Sequence, residues 1–328
     1  MFLAGDIGGT KTNLACFGVE GKHLSSVAAG SFSSREHASL DEIVRQFMSV
    51  HHLRVKHACF GIAGPVRHGR CEAMNLAWVV DARQLAGELG IATVTLINDL
   101  EANAYGIAAL EPKDFVVLNE GAPDGQGNAA VIAAGTGLGE AGLYWDGKQH
   151  RAFACEGGHA DFAPRNALEI DLLRYLLTQF GHVSYERVLS GPGLYNIYKF
   201  LRDTGRGEEP VWLSEEMRQH DPSAAISRAA LEGSCVLCVQ ALHLFVALYG
   251  AKAGNLALTI MAAGGVFVGG GIAPKIIEKL TDGTFMAAFT AKGRMKPVLE
   301  AMPVRVILND KTALLGAARC AYLSMSGE

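Results

Sequence analysis

Phe2-Leu3-Ala4-Gly5-Asp6-Ile7-Gly8-Gly9-Thr10-Lys11-Thr12-Asn13-Leu14-Ala15-Cys16-Phe17 decides the fold class. Two short apolar runs, Phe2–Ile7 and Thr12–Phe17, flank a Gly8-Gly9-Thr10-Lys11 turn, which predicts a β-hairpin. A carboxylate, Asp6, stands at the end of the first strand. The glycines permit positive φ and leave backbone N–H groups open to an anion, Thr10 adds a hydroxyl, and Asp6 can hold a hydrated Mg²⁺. Taken alone, such a stretch is more often just a hairpin.

Outward from this hairpin, a third strand is expected around Ser25–Phe32. Ser39-Leu40-Asp41-Glu42 has the capping-box spacing and opens a helix through about Val50. Apolar strands return at His57–Ala63 and Thr93–Ile97, giving an α/β unit with a mixed sheet. The device then repeats. Phe115–Leu118, Ala129–Ala134 and Glu140–Trp145 surround a second glycine turn, Gly135-Thr136-Gly137-Leu138-Gly139. Helical segments follow near 167–180, 184–202 and 223–260, and a strand at Gly264–Val268 runs into a third cluster, Gly269-Gly270-Gly271. Pro274 suits the first turn of the helix after it. The polar segment 203–222, with two prolines, reads as an exposed insertion.

The 328 residues allow about two domains, and 49% hydrophobic against 19% charged residues excludes a disordered chain. A net charge of -4 without a long Lys/Arg run excludes nucleic acid as the expected partner. The N-terminus lacks the pattern of a signal peptide. Ser234–Tyr249, interrupted by Gln240 and His243, falls short of the ~20 apolar residues of a membrane span and is expected as a buried helix, so no membrane partner is expected. Seven dispersed cysteines point to reduced thiols in the cytoplasm. Cys235 and Cys238 form a C-x-x-C without a second pair, which reads as two core cysteines.

Thr95-Leu96-Ile97-Asn98-Asp99 ends a strand in a polar pair, where ligands bind in open α/β sheets. Asp99 is either the cap of the next helix or a base that takes a proton from a substrate hydroxyl. Glu156-Gly157-Gly158-His159 offers a carboxylate and an imidazole to the hydroxyls of a polyol. Glu186, in Ser184-Tyr185-Glu186-Arg187, has the local pattern of an exposed helical glutamate. Ala102–Leu110 and Thr312–Ala321 are rich in alanine and glycine, consistent either with good helix formers or with close backbone approach.

Together these residues resemble the bacterial glucokinases of the hexokinase–actin–Hsp70 superfamily. The match runs through Asp6–Thr10, Gly61–Pro65, Ile97–Asp99, Ala134–Gly139, Glu156–Pro164, Ser184–Gly193, Gly264–Pro274 and Thr312–Ala321. Its most specific segments are Glu156–Pro164 and Gly181–Gly193. The resemblance implies a two-domain, actin-like (ribonuclease H-like) α/β ATPase fold with a cleft between a small domain, 1–109 plus 300–328, and a large domain, 110–299. It implies Asp6, Gly8, Gly9 and Thr10 as a first phosphate loop, with Mg²⁺ held by Asp6 through water. Gly135, Thr136 and Gly137 are implied as a second loop, and Gly269, Gly270 and Gly271 as the adenosine contact. Asn98, Asp99, Glu156, His159 and Glu186 are implied as sugar ligands, Asp99 being the base on the 6-hydroxyl. The helices after Asp99 and after Thr312 are implied as the pair crossing the hinge. ATP, Mg²⁺ and glucose are the implied cofactors and substrate, and a homodimer the implied assembly.

Two features depart from the family's relatives. Lys11 stands where many glucokinases have Asn, and the cysteine-rich zinc segment of the repressor-type (ROK) sugar kinases is absent, which argues against zinc. Another hexose or amino sugar as acceptor, polyphosphate or ADP as donor, and a sugar-sensing regulator without chemistry remain the alternatives.

Overall fold

The computed structural model describes residues 1–20, 23–73, 76–123 and 125–326. Contacts divide the chain into two units: Met1–Pro112 with His150–Ala154 and Asn309–Glu328, and Lys113–Gln149 with Cys155–Leu308.

In the first unit, β1 (Phe2–Ile7), β2 (Lys11–Glu20) and β3 (His23–Ser33) form the expected antiparallel meander. After α1 (Leu40–Val50), β4 (His57–Ile62) pairs parallel to β1. A small sheet of β5 (Val66–Arg67), β6 (Arg70–Glu72) and β7 (Val79–Asp81) precedes α2 (Ala82–Leu89). Then β8 (Thr93–Asn98) joins β4 in parallel and runs into α3 (Asp99–Gly106). The sheet order is β3-β2-β1-β4-β8. Leu40, Ile43, Val44 and Phe47 of α1 recur at helical spacing and are buried against one sheet face. Ile43 and Phe47 are at most 1% exposed, and each such burial stabilises by about 1.5–3 kcal/mol relative to exposure. The capping box of α1 forms only in part: Glu42 accepts from the Ala38 amide at 2.9 Å, and Ser39 makes no side-chain cap.

The opposite face is covered by α3 and by the chain's last helix, α12 (Thr312–Ser326), which share an apolar cluster with Phe2, Ala4 and Cys59. The alanines and glycines of these helices serve close approach. A Cβ on Gly316 would stand 1.7 Å from the Ala102 carbonyl oxygen, and one on Gly106 would stand 2.0 Å from that of Thr312.

The second unit holds β9 (Phe115–Asn119), β10 (Ala129–Ala134) and β11 (Leu138–Trp145). β12 (His150–Cys155) follows in the chain. Next come α4 (Ala167–Leu177), α5 (Gly191–Asp203), α6 (Val211–Gln219), α7 (Pro222–Leu231) and α8 (Val236–Ile260). β13 (Gly265–Gly269), α9 (Ile277–Thr281), α10 (Thr284–Thr290), α11 (Lys296–Glu300) and β14 (Val304–Ile307) complete the unit. β10 pairs antiparallel with β11 and parallel with β13, β13 pairs parallel with β14, and β14 pairs antiparallel with β9.

Three expectations need correction. The segment 203–222 is no bare insertion, since it carries α6, whose Leu213 is fully buried in the main core. The helical stretch 223–260 is divided, α7 ending before Gly233 at φ +67° and α8 starting after Cys235. The stretch 184–202 is divided likewise, into a 3-10 turn at Tyr185–Arg187 and α5. α8 is, among the described residues, long and apolar enough to cross a membrane by length and composition, yet 72% of its most apolar window is buried inside the fold. It is a core helix.

Candidate functional site

The first unit concentrates polar groups at the carboxyl ends of its parallel strands. Across β1, β4 and β8, Asp6 pairs with Gly61 and Gly61 with Ile97; Ile7 pairs with Ile62 and Ile62 with Asn98. The register thereby sets Asp6 and the Asn98–Asp99 pair at one edge of the sheet, with Gly61 between. A Cβ on Gly61 would lie 2.7 Å from that of Ala102, so only glycine lets α3 start so close to the strands. Asn98 is the helix cap, accepting from the Leu100 amide at 2.9 Å, while its own amide donates to the Gly64 carbonyl at 3.1 Å. Asp99 Oδ1 also accepts from the Leu100 amide, at 3.0 Å. Capping is thus met chiefly by Asn98, and Asp99 is the first residue of α3.

Asp6 accepts a long hydrogen bond, 3.4 Å, from Asn13, which in turn accepts from Ser31 at 2.8 Å. Burial pushes the Asp6 carboxyl above its ordinary range, and the Asn13 contact opposes that shift. The Gly8–Lys11 turn closes through the Gly8 amide and the Lys11 carbonyl at 2.9 Å. Below it, Ser34 donates to the Gly8 carbonyl at 2.8 Å and shares a 3.0 Å hydrogen bond with the buried Thr12 hydroxyl.

In the second unit, the other two glycine clusters converge. Gly135 donates to the Gly137 carbonyl at 2.8 Å, and the Gly191 amide at the start of α5 donates to the Gly135 carbonyl at 2.8 Å. Gly269 ends β13, and Gly270, at φ +83°, packs where a Cβ would be 2.3 Å from the Ala134 carbonyl oxygen. The buried Tyr249 hydroxyl accepts from the Ala134 amide at 3.1 Å, tying this junction to α8. Gly135, Thr136 and Gly271 then line a cavity of about 1200 Å³ together with Tyr195, Ser227, Arg228 and Lys275.

The two most specific sequence segments meet as a short antiparallel pair. Phe162 donates to the Val183 carbonyl at 2.9 Å and Tyr185 to that of Ala160 at 3.0 Å, with an isolated bridge between Asp161 and Ser184. That pairing brings Glu156 and His159 beside Glu186. Glu156 Oε2 is 3.9 Å from His159 Nε2, both side chains being about half exposed. Glu186 is no ordinary helical glutamate: its Oε2 accepts from the Leu138 amide at 3.0 Å. That same oxygen stands 2.5 Å from where a Gly137 Cβ would be, next to the second glycine turn. Ser190 joins the pieces, donating to the Glu186 carbonyl at 2.8 Å and capping α5 by accepting from Gly193 at 3.0 Å.

The expected site residues therefore form two constellations. Asp6, Gly8, Gly9, Thr10, Asn98 and Asp99 belong to the first unit; Gly135, Thr136, Gly137, Glu156, His159, Glu186, Gly269, Gly270 and Gly271 belong to the second. Sequence reasoning named Gly271 but missed the cavity residues Tyr195 of α5, Ser227 and Arg228 of α7, and Lys275, because single polar residues on helices carry no local motif. It also missed Ser34, Asn13 and the buried Glu140–Lys252 ion pair; the signal for the last was a lysine within the apolar run of α8. Cys235 and Cys238 are both buried. Among the described residues, no group of three or more His, Cys, Asp or Glu is placed to hold a metal ion.

A family model described as Glucokinase matches residues 3–324. A glucokinase of Nostoc sp. is 43% identical over 337 residues, covering 98% of both chains. The crystal structure of a glucokinase from an Antarctic psychrotroph is 32% identical, covers 98% of each chain and superposes with a TM-score of 0.86. A glucokinase from Balamuthia mandrillaris, crystallised in complex with glucose, shares the fold at a TM-score of 0.79 and 21% identity, covering 98% of this chain and 93% of that one.

Proposed function

The chain belongs to the glucokinase family, and on that premise we propose that it transfers the γ-phosphoryl group of ATP to the 6-hydroxyl of D-glucose. The observation that carries this reading is the pairing of segments 160–162 and 183–185, which gathers Glu156, His159 and Glu186 beside the Gly135–Gly137 turn. Three hydrogen-bonding side chains suited to a polyol thus adjoin a turn suited to phosphate.

In the proposed reaction Glu156, His159, Glu186 and Asn98 hold the sugar hydroxyls. Asp99 accepts the proton of the 6-hydroxyl as that oxygen bonds to the γ-phosphorus, and the bond to the β–γ bridging oxygen breaks to leave ADP. The turns at Gly8–Thr10 and Gly135–Gly137 offer the phosphates their backbone amides other than those of Gly8 and Gly135, which close the turns, and the adenosine lies in the cavity edged by Gly271. Gly269 and Gly270 do not line that cavity; Gly270 packs against the Ala134 backbone. Asp6 suits a hydrated Mg²⁺: one oxygen is engaged by Asn13, and a carboxylate at a strand end beside a phosphate turn matches the one- or two-carboxylate sites that Mg²⁺ takes with nucleotides. When bound, Mg²⁺ neutralises charge on the β- and γ-phosphates. The protein's contribution is position and charge stabilisation. The family resemblance extends the proposal to a cytoplasmic homodimer.

Coupled ADP release from ATP and Mg²⁺ with a panel of sugars tests the reaction. Turnover highest with glucose is expected. Preference for another hexose or an amino sugar would replace the acceptor, and glucose binding without turnover would move the chain to the sensor class.

A further inference from the structure

Beneath the proposed sugar turns lies an ion pair with no part in the reaction above. Glu140 on β11 and Lys252 on α8 approach to 2.9 Å, with side chains only 2% and 8% exposed. A charge pair so deeply buried is weak evidence of stabilisation, because desolvation offsets much of the attraction. Its surroundings point to another use. The second Glu140 oxygen lies 1.9 Å from where a Cβ on Gly157 would stand, so the carboxylate abuts the backbone between Glu156 and His159. The Lys252 ammonium sits 4.8 Å from the centre of the Tyr185 ring, and Tyr185 immediately precedes Glu186. One turn along α8, Asn255 donates to the Tyr185 hydroxyl at 3.0 Å.

We propose that the Glu140–Lys252 pair is a positioning device that fixes the Glu156–His159 turn and the Tyr185–Glu186 turn relative to each other, and so sets affinity for the sugar. The proposal rests on the assignment of Glu156, His159 and Glu186 as sugar ligands. The ammonium meets the Tyr185 ring directly and the Glu156–His159 turn through the Glu140 carboxylate, and the helix that carries it is mostly buried inside the fold. Burial pushes the Glu140 carboxyl above its ordinary range, and Lys252 opposes that shift.

The test uses steady-state ADP release with glucose and ATP varied in turn, together with thermal melting. Glu140→Gln with Lys252→Met removes both charges at similar volume. The double variant is expected to melt cooperatively, with KM for glucose raised about tenfold or more and KM for ATP within about twofold, as slight displacement of ligating groups costs up to about a hundredfold. A folded double variant with an unaltered KM for glucose overturns the proposal, as does an equal rise in both KM values. If the double variant does not fold, Glu140→Asp keeps the charge but withdraws the carboxylate from Gly157. A selective rise in KM for glucose is again expected, and none contradicts the claim. Glu156→Ala separates the two levels of argument. If it leaves glucose affinity intact, the sugar-site assignment fails and the proposal falls with it. If it weakens glucose while Glu140→Asp does not, only the pair's role is overturned.

Discussion

The Ser34 hydroxyl donates to the Gly8 carbonyl at 2.8 Å, and the Ser34 amide donates to the Thr10 carbonyl at 3.0 Å. A fully buried residue just after β3 thus fastens both ends of the first glycine turn. Ser34→Ala removes one fastening and leaves the Thr12 hydroxyl short of a partner. The expected result is a drop of about 5–10-fold in kcat/KM for ATP, the size of one lost buried hydrogen bond. KM for glucose should hold, which steady-state kinetics with each substrate varied will check.

Gly316 is fixed by the approach of α12 to α3, since a Cβ there would lie 1.7 Å from a backbone oxygen that cannot step aside. Gly316→Ala is expected to destabilise by about 1–3 kcal/mol or more through overpacking. Gly87, inside α2, has no atom within 4 Å of such a Cβ. Gly87→Ala should therefore stabilise by about 0.5–1 kcal/mol through helix propensity. Urea unfolding of the two variants beside the wild type measures both signs.

Lys292 donates to the Ala251 carbonyl and to Asn255, the residue that anchors the Tyr185 hydroxyl. Burial, with Arg165 nearby, holds its pKa down to about 8 from the usual 10.5. Above about pH 8 the folded chain releases this proton while the unfolded chain keeps it up to 10.5. The unfolded state then binds more protons, so folding gains stability as pH rises through that window. The wild type should gain stability relative to Lys292→Met between those two pH values and show a constant difference below them. Denaturant midpoints of both proteins across pH 7–10 read this directly.

What was legible in the sequence depended on how local the signal was. Strand ends such as Ile97-Asn98-Asp99 announce themselves, because an apolar run stops at polar residues and a helix of small residues follows. The three glycine clusters were legible for the same reason. Glu186 was not: its neighbours Tyr185 and Arg187 look helical, and only resemblance to a family singled it out. The structure supplies the physical reason, a hydrogen bond from Leu138 nearly fifty residues earlier in the chain. The helix in 203–222 was obscured by its polar composition, although Leu213 and Met217 pack it against the core. Lys252 was hidden in the opposite way, as one charge inside an apolar helix whose partner lies on a distant strand.

The central claim is that Asp99 takes the proton of the sugar's 6-hydroxyl. The most direct measurement is kcat and the glucose dissociation constant for Asp99→Asn beside the wild type, the asparagine keeping shape and hydrogen-bonding capacity while losing the base. A fall in kcat of about a thousandfold or more, with glucose binding within about tenfold, is the expected result. Near-normal turnover by Asp99→Asn would contradict the assignment and return Asp99 to the role of a helix-terminal residue.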